Sequence, residues 1–195
     1  MKISKRGEYG LRAMIDLAIA RELGRDLVQL NELAENEKIP VKFLEQILLA
    51  LKQGGFLESV RGKYGGYRLA RSAQDIFTGQ IVRYLDGPIA PISCVSLTAY
   101  ERCSCPDEAH CGLRMLMLDV RNAIANVVDR YTLANVVEVT LRKMRTNNVN
   151  LPFVSNPRAT SRASKPAART AQPKPSPLTT PFETGLGEFL YREGI

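Results

Sequence analysis

"KIPVKFLEQILLALKQGGFLESVRGKYGGYRLAR", residues 38–71, changes its hydrophobic period halfway along. Up to Leu51 the apolar residues Phe43, Leu44, Ile47, Leu48 and Leu51 recur at the three-and-four spacing of one helix face. Pro40 suits the entry to that helix, and Gly54 and Gly55 suit its exit. From Phe56 the spacing falls to two and reads as strand, glycine-bearing loop, strand, which is a β-hairpin signal. A helix running straight into such a hairpin is the second half of a winged helix-turn-helix. Upstream residues supply the first half. A periodic segment opens after Ser4 as N-cap and carries Leu11, Met14, Ile15, Ala18 and Ile19 until Gly24 closes it. A short second helix spans about Leu30 to Asn36, with Leu33 and Ala34 inward. The expected fold is mainly α with a small β-hairpin wing, the winged helix-turn-helix occupying residues 1–72.

Residues 73–145 read as a second module. Thr78 is expected to cap "TGQIVRYLDG", with Ile81, Val82 and Leu85 on one side, and Asp86 to Pro91 break that helix. A long helix from Leu113 carries Leu113, Leu116, Val120, Ile124, Val127 and Tyr131 in alternating threes and fours. One small neighbour cannot cover so regular a stripe, so a homodimer in which two such helices bury each other is expected, with packing on the first helix as the alternative. Thr132 should cap a last helix through Val136, Val139 and Met144. From Thr146 to residue 195 the composition turns basic and proline-rich, and seven of the eleven prolines fall between Leu151 and Pro181. Too little apolar surface is available there to offset ordering entropy, so 146–195 is read as a disordered tail.

The 195-residue chain is 45% hydrophobic, enough for a real core, and carries a net charge of +7. That balance favours a polyanionic partner. Met1 to Arg6 leads directly into the amphipathic pattern, with no apolar leader, and no apolar run approaches the roughly 20 residues of a membrane span. A cytoplasmic protein without membrane contact is expected. Enzymatic readings find little support: there is a single histidine, no Ser/His/acid constellation, and "GKYGG" lies inside a hairpin rather than before a helix N-terminus.

On the polar face of the third helix stand Lys42, Glu45, Gln46, Leu49 and Lys52, the first three near the N-terminal half that reaches base edges in this motif. Gln pairs with adenine, Glu accepts from cytosine, and Lys reaches guanine or phosphate. In the hairpin, Arg61, Lys63 and Arg68 surround Gly62, Gly65 and Gly66, whose bare backbone permits close approach to a phosphate or the minor groove. The alternative for both sets is an ordinary solvated surface.

All four cysteines fall within residues 94–111, spaced C-x8-C-x-C-x5-C. Clustered thiolates are soft ligands for an iron–sulfur cluster, Zn or Cu(I), and in a reducing compartment a metal or redox role outranks a disulfide framework. An iron–sulfur cluster, a structural Zn site and a disulfide-forming thiol switch all remain open. His110, beside Cys111, reads as a surface histidine.

The segments "SKRGEYGLRAMIDLA", "FLEQILLALKQGGFLESVRGKYGGYRLAR" and "YTLANVVE", with the cysteines between the last two, resemble the Rrf2 family of bacterial transcription regulators over residues 1–145. The resemblance implies a winged-helix head, a long dimerisation helix and, before it, a cysteine loop that often holds an iron–sulfur cluster, 2Fe-2S first and 4Fe-4S as the alternative. Family DNA contacts carry over to Lys42, Phe43, Gln46, Arg61 and Gly62. Phe43 stands where some relatives have tyrosine, and a core role is its other reading. The family's commoner loop has three cysteines with short gaps. The five-residue gap from Cys105 to Cys111 fits, but the gap after Cys94 is longer, eight residues to Cys103 or ten to Cys105. The resemblance offers Glu8, just before "YG", as a ligand given from the partner subunit, and puts Arg114 where some relatives have a ligating histidine. The combined expectation is a homodimeric regulator that binds a double-stranded DNA operator and senses iron, redox or nitric-oxide status. An iron–sulfur carrier is the alternative from another class.

Overall fold

The computed structural model describes residues 3–153. Helix α1 (Lys5–Glu22) starts at Ser4, whose hydroxyl accepts from the Gly7 N–H at 3.1 Å. Asp86 grips the same residue, accepting from the Ser4 N–H at 2.9 Å and from its hydroxyl. The stripe read from the sequence is only part of what α1 buries. Ala13, Leu17 and Ala20 are enclosed along with Met14, Ala18 and Ile19, whereas Leu11 and Ile15 are half-buried. The reason is tertiary: α1 touches elements on several sides, so no face is left wholly to solvent.

Helix α2 (Leu30–Glu37) ends at Lys38 in the left-handed region, φ 53°, and Ile39–Pro40 lead into α3 (Val41–Gln53). On α3 the residues Leu44, Ile47, Leu48 and Leu51 are almost completely enclosed. Strands β1 (Leu57–Val60) and β2 (Gly66–Leu69) pair antiparallel, with Leu57 opposite Leu69 and Val60 opposite Gly66. Val28 adds a short third edge by exchanging backbone bonds of 2.8 and 3.0 Å with Tyr67. That approach requires glycine at 66, because a Cβ there would lie 2.3 Å from the Val28 carbonyl oxygen. The fold is therefore mainly helical with a hairpin wing, as the change of period predicts.

Helix α4 (Thr78–Asp86) departs from expectation at its start. Phe77 takes the cap position, and the Thr78 hydroxyl donates to the Val128 carbonyl at 2.7 Å instead of capping its own helix. Helix α5 (Gly112–Arg130) is held near its C-terminal end by that bond, by the Arg83–Asp129 ion pair and by a bridge between Phe77 and Thr132. Helix α6 (Leu133–Thr146) is capped by Thr132 as predicted: the Asn135 N–H donates to the threonine hydroxyl at 3.3 Å, and the Thr132 N–H donates back to Asn135 Oδ1 at 3.0 Å. Its Leu133, Val137 and Leu141 join the core, where α6 meets α1.

Along α5 only Arg121 is buried, while Leu113, Met115, Leu116, Val120 and Val127 are exposed. Tyr131, counted on that stripe from its spacing, is instead buried where α5 gives way to α6, and its carbonyl accepts from the Thr78 N–H at 2.9 Å. The packed region also runs past Thr146. A turn with Asn148 at φ 52° brings Leu151 against the core and buries Phe153 in it, so apolar residues that composition assigns to the tail are part of the fold. The remainder of the proposed tail, from residue 154, lies outside the described residues. Among those residues no helix is long and apolar enough to cross a membrane.

One buried carboxyl ties the first two helices together. Asp16, 5% exposed, accepts from Asn36 Nδ2 at 2.7 Å, and Glu37 beside it is paired with Arg12. Burial, followed by the charge of Glu37, raises the Asp16 carboxyl from an ordinary 3.8 to about 7, against smaller opposing effects of Asn36 and Arg12. Between these values the folded chain keeps a proton that the unfolded chain has released. Stability from this group therefore falls as pH rises through the window, and the loss is complete above it. Asp16→Asn retains the acceptor for Asn36 without a charge. Urea midpoints measured across this window should fall less for Asp16→Asn than for the wild type, leaving the variant the more stable of the two at the alkaline end.

Candidate nucleic-acid interface and cysteine cleft

The α3 register that buries Leu44, Ile47, Leu48 and Leu51 necessarily turns Lys42, Glu45 and Gln46 outward, and all three are exposed. Val41, which the sequence reading passed over, is exposed at the same end. Phe43 is different. It is half-buried, its ring meeting Tyr9 edge-on at a centroid distance of 5.8 Å, so it packs at the foot of α3. Lys52 turns to the wing and donates to the Ser59 hydroxyl at 2.6 Å. The Tyr67 hydroxyl is shifted upward by burial and then by the charge of Glu45, an interaction between the α3 surface and the wing.

In the wing, Arg61, Gly62 and Lys63 are exposed in the five-residue loop between the strands. Gly62 has φ 112°, where other residues are strained, and its carbonyl accepts from the Gly65 N–H at 2.9 Å to close the turn. Gln29 Nε2 donates to the Lys63 carbonyl at 3.2 Å and braces the loop. Arg68 does not join the free cations. Its guanidinium pairs with Glu58 at 2.7 Å and Asp26 at 3.3 Å, acids that sequence distance concealed. Lys42, Arg61 and Lys63 form no ion pair among the described residues.

The loop between α4 and α5 gathers the cysteines. Cys94 is buried in a single 3-10 turn, Ser93–Val95, and Cys111 sits half-buried at the cap position of α5. Cys103 and Cys105 are half-buried and joined as a disulfide. All four line one cleft of about 410 Å³, walled also by Ile92, Arg102, Leu113 and Arg114. Arg114 Nε lies 3.3 Å from Glu108, which also accepts from the Tyr100 hydroxyl at 2.8 Å. The peptide N–H groups opening α5 begin at Cys111, a position that favours negative charge.

The donor set fits a thiophilic centre, since four sulfurs share one cleft. Its present arrangement is not a closed ligand sphere: among the described residues no three His, Cys, Asp or Glu side chains stand close enough to hold a metal ion. His110 lies off the cleft, largely exposed, with Nδ1 2.7 Å from Asp107, as a surface histidine would. Glu8 is not a wall of the cleft in its own chain. Its carboxylate lies 2.7 Å from Lys5 and 3.6 Å from Arg12, and the hydrogen bond from Lys5 holds it below the usual range.

Residues 3–139 match the sequence pattern of a family described as Rrf2, iron-dependent transcriptional regulator. The chain belongs to the Rrf2 family. It is 36% identical over 137 residues to an rrf2-like helix-turn-helix regulator of Rhodobacter capsulatus, covering 69% of this chain and 91% of that one. Among solved structures it resembles CymR, the global cysteine regulator of Bacillus subtilis, with TM-score 0.60 and 33% identity over 71% of this chain and 98% of the other. It also resembles the IscR of T. potens, with TM-score 0.56 and 31% identity over 72% and 88%. The Rrf2 fold accounts for the winged head and hairpin, and the chain is a DNA-binding transcription regulator of that family. Both the Rhodobacter capsulatus relative and CymR are described as regulators.

Proposed function

We propose that this Rrf2 regulator binds operator DNA as a homodimer and changes its affinity when an iron–sulfur cluster occupies the cysteine cleft. The observation carrying this reading is that all four cysteines line one cleft at the start of α5. Cys94 and Cys111, with Cys103, Cys105 or both once their disulfide is reduced, are the ligands on this chain, and Glu8 is offered from the partner subunit by the family resemblance. Bound there, the cluster supplies a redox-labile or demand-sensitive signal, 2Fe-2S being the first assignment. The exposed apolar residues of α5, from Leu113 to Val127, form the dimer face. Because the cleft and that face share the base of α5, ordering the loop biases how the two heads are oriented.

In this reading Lys42, Glu45 and Gln46 read the major groove, Arg61, Gly62 and Lys63 contact the flanking minor groove or phosphates, and Phe43 sets the pitch of α3. Arg61→Ala should weaken operator binding by about tenfold. Titration against Arg162→Ala should show a much smaller loss for that tail residue, and equal losses would remove Arg61 from the interface. The Cys103–Cys105 disulfide favours a second reading, a cluster-free thiol switch in which these two thiols lose two electrons and two protons to an oxidant. Anaerobic purification with iron, zinc and acid-labile sulfide analysis, paired with operator titrations of loaded and stripped protein, separates the two. Equal operator affinity of the two forms would end the switch proposal.

A further inference from the structure

The wing tip presents an aromatic ring that neither core nor hairpin uses. Tyr64 is 80% exposed and stands at the corner of the turn that the Gly65 N–H closes on the Gly62 carbonyl. The other wing tyrosine, Tyr67, is half-buried and bonded through its backbone to Val28. Single exposed apolar side chains are ordinary on protein surfaces. Tyr64 differs in the support beneath it and in the charge around it. The turn is tightly closed, since a Cβ on Gly65 would lie 2.1 Å from the Val60 carbonyl oxygen, and Gln29 holds the adjoining Lys63 carbonyl. Arg61 and Lys63 beside it are exposed cations without an ion pair among the described residues, whereas Arg68, lower in the same wing, is neutralised by Glu58 and Asp26. The Lys63 ammonium lies 5.7 Å from the Tyr64 ring centroid, so ring and charge project together.

A tightly closed turn that presents an aromatic ring beside one free cation, with a second free cation in the same loop, matches what the minor groove offers: phosphate walls for the cations and an apolar floor of sugar and base edges for the ring. We propose that Tyr64 is a minor-groove wedge, its ring packing on sugar and base edges at the flank of the site read by α3. Insertion is cheapest at pyrimidine–purine steps, which unstack readily, so the wedge adds sequence preference at positions that α3 does not reach. The inference rests on the DNA-binding reading of the head.

The chain contains no tryptophan, so Tyr64→Trp places a single indole at the wing tip. The probe is a duplex selected by the wild-type protein from a randomised pool. Tyr64→Ala should weaken binding to it by about tenfold. Its salt slope should stay as in the wild type, because no phosphate contact is lost, whereas Lys63→Ala should lower that slope by about one. Tyr64→Phe and Tyr64→Trp should stay within about twofold of the wild type, and the indole emission should shift or quench as the duplex saturates the protein. Wild-type affinity in Tyr64→Ala, an equal loss in Tyr64→Phe, or indole emission unmoved at saturation would each overturn the wedge while leaving DNA binding intact. A wild-type protein that selects no duplex would overturn both readings.

Discussion

Replacing Leu48 with alanine is expected to cost about 3 kcal/mol of folding stability. The side chain is fully enclosed on the α3 face that meets the rest of the core, so truncation removes its transfer free energy and leaves a cavity that the packed head can only partly close. Domains of this size are held by roughly 5–15 kcal/mol in total, so the loss is a large share. Its neighbour supplies the control. Leu49, one residue on, is half exposed on the opposite face, and Leu49→Ala should change stability by no more than about 0.5 kcal/mol. Urea denaturation of the two variants tests the register of α3 directly, and that register is what turns Lys42, Glu45 and Gln46 outward. Similar midpoints for both would mean that the helix is rotated from the position described.

The second large effect is expected at the cysteines. Cys94→Ala and Cys111→Ala should each abolish bound iron and acid-labile sulfide, because these residues bound the cleft at its buried and helical ends. Both variants should bind operator with the affinity of stripped wild-type protein. Cys103→Ala and Cys105→Ala are expected to differ from each other if three cysteines ligate, one keeping the cluster and one losing it. They should both lose it if all four ligate. Zinc without sulfide in every preparation would replace the cluster with a structural site. Retained iron in all four single variants would mean that the ligands lie elsewhere. A thiol switch gives another pattern: no iron in the wild type, and an oxidant response of operator affinity that vanishes in Cys103→Ala and Cys105→Ala alike.

Much of the head was legible because its signals are local. The buried set of α3 follows from a period that each residue shares with neighbours one turn away, and Ser4 and Thr132 announce their helices through cap bonds spanning three residues. Less local features were misread or missed. Arg68 looked like a free wing cation until Glu58, ten residues away, and Asp26, forty-two residues away, were brought to it. Tyr131 continues the spacing of the α5 stripe, but the chain turns there, and burial follows the turn rather than the period. Leu151 and Phe153 sit in a polar, proline-bearing context and still fold back on the core. For Phe43 the sequence leaves a DNA contact and a core role both open, and the packing of its ring on Tyr9 from another helix is a contact that no local pattern records.

The order of the amino acids alone determined a helical head with a glycine-hinged hairpin, a long amphipathic helix and a dense sulfur cluster before it, because periodicity, turn chemistry and residue type act over a few positions. Tertiary structure alone decided which cations of the wing remain uncompensated, which aromatic ring stands clear of the core, and that four thiol positions border a single cleft. Ion pairing, enclosure and cleft formation join residues far apart in the chain. Their outcome depends on which surfaces the packed elements bring together, and no local pattern records that.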